Sequence, residues 1–140
     1  MKIKNIEKLT TKLSKIATIN LTETLTDCCI LVEGTAKTLC PVDDGQLRQS
    51  ITHEVKPQVG IIGTNVEYAP YVEIGTGIFS STGTGRKTPW TYQDAEGNWH
   101  TTVGQHPQPF LRPALKQNQK EIQQEIKNAV RKELEKNANI

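Results

Sequence analysis

This chain lacks most of what small proteins with a defined chemistry depend on. Its only cysteines are Cys28, Cys29 and Cys40. An odd count with two residues adjacent argues against a disulfide scaffold and suits a reducing compartment with buried or half-buried thiols. Structural zinc needs spaced ligands, which Cys28-Cys29 does not supply, and His53, His100 and His106 form no tight group in the sequence. An excess of one charge is also missing. Seventeen basic side chains oppose 15 acidic ones, and a net +2 is not the basic surplus of a dedicated nucleic-acid binder. No apolar run approaches the roughly 18 residues of a membrane span. The start, Met1-Lys2-Ile3-Lys4, is too polar for a signal peptide, so neither secretion nor membrane insertion is expected. Aromatic side chains are few and all fall between Tyr68 and Phe110.

What remains is a chain of 140 residues, the size of one domain with one core. Its apolar share of 35% is low for a monomeric globule. The first forty residues have a helical period. Ile6, Leu9, Leu13 and Ile16 recur at three and four, and the series resumes as Leu21, Leu25, Cys28, Val32, Thr35 and Leu39. The phase change near Thr18–Asn20 fits either a short helix turning into a longer one or a single helix whose stripe rotates. Pro41 ends the second half. The threonines lower helix propensity there, so packing must hold the segment.

Asp43-Asp44-Gly45 is a turn, because aspartate accepts nearby backbone N–H groups and glycine tolerates positive φ. Leu47 and Ile51, four apart, suit one helical turn before a strand, although a strand from Ser50 to Val55 is the alternative. Val59 to Val66 is a second strand candidate loosened by Gly60 and Gly63, and Lys56-Pro57-Gln58 suits a hairpin link. Tyr68 to Ile74 predicts one or two helical turns, with Pro70 harmless in the first and Gly75-Thr76-Gly77 as the stop. Phe79 to Thr88 is a long polar loop. Trp90-Thr91-Tyr92 and Trp99-His100-Thr101 flank Asp94 to Asn98 as a hairpin, with Trp90, Tyr92 and Trp99 on one face and, with Phe110, forming a small core. Leu111 or Pro113 opens a last helix whose stripe is Leu115, Ile122, Ile126, Val130 and Leu134. Its other face is densely and evenly charged, which usually means solvated.

Three segments, Pro41 to Ile51, Tyr68 to Thr76 and Pro109 to Leu115, resemble the signatures of the tail-completion, or head–tail joining, proteins of long non-contractile-tailed phages and prophages. The Trp90–Trp99 hairpin with Gly97 at its turn is similar to members of that group, and the match covers about residues 20 to 135. The resemblance implies an α+β fold: a small, mostly antiparallel sheet packed by a long N-terminal helix and a long C-terminal helix, with an extended loop and a β-hairpin. It implies a single domain over residues 1–140, with 1–18 a variable helical extension and 76–89 a flexible loop. It also implies a structural virion protein of the tail or neck, made in the host cytoplasm, that forms a cyclic oligomer, commonly a hexamer. Its partners would be a head connector or stopper and a tail-tube or tail-terminator protein. DNA would meet it only by passing through the ring. The family has no catalytic residue or cofactor to carry over. Asp44 departs from it, standing where threonine or serine is commoner.

Within that frame Pro41, Asp43, Gly45, Pro70, Gly75, Pro109 and Pro113 are expected to be structural corners. Arg48, Tyr71, Glu73, Arg86, Lys87, Trp90, Trp99, Phe110 and Arg112 are the candidate interface residues. Glu73 suits an interface or internal pairing role, since a lone carboxylate has no second acid, metal or nucleophile beside it. Gly83-Thr84-Gly85-Arg86-Lys87 lacks the order of a nucleotide loop and suits a segment that orders on assembly. Two other classes compete. A small nucleic-acid or peptide-binding module needs a continuous basic surface. A hydrolase needs a nucleophile and base that Cys40 and the histidines do not form.

Overall fold

The shift in hydrophobic phase near Thr18 marks a break between two helices, α1 over Ile6–Ala17 and α2 over Thr22–Leu39. This computed structural model describes residues 5–43 and 45–138, with side chains to Lys136; Met1–Lys4 and Asp44, on which parts of the expected extension and turn fall, lie outside the described residues. Asn20 Oδ1 accepts the Thr22 N–H at 2.9 Å and helps to start α2. The helix stops at Cys40, whose extended backbone (φ −63°, ψ 125°) is what a following proline requires.

Gly45, at φ 83°, then leads into the single turn α3, Gln46–Ser50. Strand β1, Thr52–Lys56, pairs antiparallel with β2, Val59–Gly63, across the two-residue turn Pro57-Gln58. The helical alternative for Leu47 to Ile51 therefore holds. β2 ends before the expected Val66, because Thr64 Oγ1 accepts the Val66 N–H at 3.1 Å and turns the chain out of the ladder. Gly60 does not loosen the strand. A Cβ there would come within 2.5 Å of Cys29 Sγ, so its lack of a side chain lets the hairpin lie flat on α2.

Helix α4, Ala69–Ile74, carries Pro70 in its first turn, and a short 3₁₀ turn follows at Gly77–Phe79. Strands β3, Trp90–Gln93, and β4, Trp99–Thr102, form a second antiparallel pair, and α5 runs over Leu111–Ala138. Its 28 residues span about 42 Å at about 1.5 Å per residue. The fold is the expected α+β arrangement of two long helices and antiparallel strands. Among the described residues, however, the strands make two separate pairs.

The core lies where α2, α3, α4 and the start of α5 meet. Val32, Ala36, Cys40, Leu47, Ile51, Ala69, Phe110 and Ala114 form one buried cluster, with Ile62 of β2, Val66 and Val72 packed on it. Asn118 of α5 donates to Thr35 Oγ1 of α2 at 2.9 Å and fixes the two long helices against each other. All three cysteines are free and buried. Burial raises the thiol pKa of each, so none has the character of a reactive thiolate.

Three further expectations, all about burial, need correction. The buried residues at the end of α2 are Ala36 and Cys40, while Leu39 is exposed. At the start of α5 Ala114 is fully buried and Leu115 is 54% exposed, so the inward stripe is set one residue earlier than hydrophobicity alone suggests. The aromatic mini-core does not form. Trp99 pairs with Gln93 and so lies on the face opposite Trp90 and Tyr92. Phe110 belongs to the main core.

Candidate assembly interface

Glu73 is tied to the start of α5 by three backbone hydrogen bonds. Its Oε2 accepts the N–H groups of Phe110 and Leu111 at 2.8 and 3.0 Å, and its Oε1 accepts that of Arg112 at 2.9 Å. These are among the N–H groups that the first turn of a helix leaves unsatisfied, and the carboxylate also faces the positive end of the α5 dipole. Glu73 therefore caps α5 from 37 residues upstream. Of the two roles expected for it, internal pairing is the one the geometry supplies. With its backbone N–H on Glu73, Arg112 is held at the helix start with an exposed side chain.

Backbone pairing extends this junction. The Gln108 N–H donates to Val72 O at 2.8 Å, the Thr76 N–H to Gln105 O at 2.9 Å and the Ile78 N–H to Val103 O at 3.0 Å. Residues 103–108 thus run as a strap along α4 and the turn after it. The approach is so close at Gly77 (φ 60°) that a Cβ would lie 1.9 Å from Val103 O. Pro109 leads from the strap into α5, where Pro113 sits in the first turn. Gly75, at φ 76°, closes α4.

The three segments singled out in the sequence converge here. Pro41, Asp43 and Gly45 from the first, Tyr68 and Val72 from the second, and Gln108 just before the third line one open groove. Among the described residues no nucleophile–base pair or metal-ligand set lines it, and no group of three or more His, Cys, Asp or Glu could hold a metal ion. Arg48, a candidate interface residue, also has a partner within the chain. Its Nη2 donates to Cys40 O at 3.1 Å, placing its charge at the C-terminal end of α2.

A second open groove lies beside the β3–β4 hairpin, lined by Tyr71, Ile74, Gly77, Ser80, Arg86 and Trp90. Arg86 stacks over the Trp90 ring, 5.6 Å from its centroid, so Tyr71, Arg86 and Trp90 belong to one surface. Tyr71 is 58% exposed and Trp99 71% exposed. Lys87 is exposed on the adjoining loop. Phe110, expected as an interface residue, is fully buried and offers no surface.

The family profile HK97-gp10_like, described as "Bacteriophage HK97-gp10, putative tail-component", matches residues 3–75, just over half of the chain. The chain belongs to this family. Neither the curated proteins nor the solved structures gave a match. Membership in the HK97-gp10-like family supports a structural role in the phage tail, that of a tail-completion or head–tail joining component. No helix among the described residues is long and apolar enough to cross a membrane. The matched span of this HK97-gp10-like chain runs from α1 to the end of α4. It holds two of the three convergent segments; the hairpin, the strap and α5 lie beyond it.

Sequence reasoning missed two features of the site. Glu33 of α2 accepts from Lys37 Nζ at 2.5 Å and pairs with His53 Nδ1 of β1, and these contacts hold its carboxyl below the usual glutamate range, Lys37 first and His53 second. No local spacing announces the Glu33–His53 contact, which joins a helix to a strand 20 residues away. The other is α1. The periodicity predicts its stripe correctly, yet none of its residues is buried, and Ile6, Leu9, Leu13 and Ile16 stand 39–56% exposed.

Proposed function

We propose that this tail component acts by forming a closed ring at the head–tail junction or at the head-proximal end of the tail tube, a hexamer in the virion. One ring face meets a head connector or stopper and the other a tail-tube or tail-terminator protein, and DNA passes through the centre. The observation that carries this reading is the exposed aromatic and apolar surface around a rigid junction. Tyr71, Ile78, Tyr92 and Trp99 are all 48% or more exposed, while Glu73 and the strap hold the elements beneath them. Exposed aromatics of this kind mark protein contacts. Side-to-side contacts between unlike patches give rings when the rotation closes. Of the 76–89 loop, the part beyond the 3₁₀ turn, with Arg86 and Lys87, orders against a neighbour on assembly. Native mass spectrometry of the purified chain tests the proposal. A single discrete stoichiometry is expected at high concentration, and a chain that stays monomeric even with connector and tail-tube partners would overturn it.

A further inference from the structure

Helix α1 presents two unlike exposed surfaces. Ile6, Leu9, Leu13 and Ile16 make an exposed apolar stripe, and Lys8, Lys12 and Lys15, at i, i+4 and i+7, make a basic flank beside it. Three lysines oppose the single acidic residue Glu7 on this helix. The complementary surface lies on the flank of the α2–α5 pair. There Glu23 and Asp27 of α2 and Glu125 and Glu133 of α5 line an open groove with one basic residue, Lys132, and with Leu21 and Ala129. Exposed Ile30 continues the Glu23–Asp27 row by the same i, i+4, i+7 spacing. None of the four acids and none of the three lysines has an ion pair among the described residues. After burial, the charge of Glu125 does most to push the Cys28 thiol up, with Cys29, Asp27 and Glu121 adding to it.

Among the described residues, α1 contributes none to the lining of the groove in its own chain. Gln58 Nε2 donates to Ala17 O at 2.6 Å, and the Leu21 N–H donates to Pro57 O at 2.8 Å, so the linker after α1 is fastened to the β1–β2 turn.

We infer that α1 of each subunit docks into the acidic α2–α5 groove of the next copy of this chain, apolar stripe inward and lysine flank against the acids. Each subunit then donates one helix and receives one. That is a head-to-tail contact, the kind that closes into a ring. The inference rests on the ring proposed above.

The test uses the full chain, with oligomer dissociation followed by native mass spectrometry and sedimentation, and folding checked by circular dichroism. The variants are K8E/K12E/K15E, E23K/D27K and their combination. Because the reversed residues are exposed, all variants should fold. Each reversal alone should weaken the oligomer about tenfold or more, and added salt should weaken the wild-type ring. The combination should return to within about threefold of wild type. A wild-type ring that neither reversal weakens would overturn the docking and leave the ring standing. So would weakening that the combination fails to restore. A wild-type chain that forms no ring overturns both. Binding of wild type, but not of K8E/K12E/K15E, to phosphatidylserine vesicles, with rings equally stable in both, would make α1 a membrane-surface helix instead.

Discussion

Glu73 shows how one side chain can set the geometry of a whole surface. Its carboxylate collects three backbone N–H groups at the start of α5 and lies half-buried beside the core. Glu73→Ala should cost about 2 kcal/mol in urea unfolding, because the capped N–H groups lose their acceptor. Glu73→Gln, which keeps an acceptor without the charge, should cost about half as much. Glu33 gives a pH-dependent counterpart. Its folded pKa lies below the ordinary value, so it contributes stability above about pH 4.3 that is lost as pH falls through the lower folded value. Acid titration of unfolding stability should therefore be flatter below that pH in Glu33→Gln than in wild type. Little of this could be read from the sequence. The turn-forming role of Gly45 follows from local backbone preference, but Glu73 and Phe110 meet only because the strap folds back along α4. Likewise, no local rule places the Arg48 guanidinium on a carbonyl eight residues upstream.

Helices and hairpins were far more open to prediction than their burial. Period and punctuation place α1, α2, α4, α5 and both hairpins, since proline, glycine and apolar spacing act locally. Which face each element buries depends on its neighbours. Ala114 displaces Leu115 from the core, and strand register sends Trp99 to the opposite face from Trp90. Trp99→Ala should accordingly change monomer stability by no more than about 0.5 kcal/mol, yet weaken assembly measurably by analytical ultracentrifugation. Loss of monomer stability with unchanged assembly would assign Trp99 to folding. Helix α1 should show the opposite of a core helix. Twelve residues with no buried face form a marginal helix alone. In the monomer its amides should exchange nearly as fast as in a free peptide, while those of α2 stay protected, and α1 should gain protection when the ring forms.

The molecule as a whole keeps its core around α2, α3, α4 and the start of α5 and spreads apolar surface over α1, the β3–β4 hairpin and α4. That division suits the ring proposed for this tail component, in which other subunits would cover the exposed apolar surface. It also explains why the apolar share is low while so many large apolar side chains stay in solvent. The most direct measurement is an electron cryo-microscopy map of the neck of the phage particle that carries this chain. Ring-shaped density between head connector and tail tube, fitted by α2, α5 and the Glu73-capped junction, is the expected result. Complete necks in which no copy of this polypeptide can be placed would contradict it.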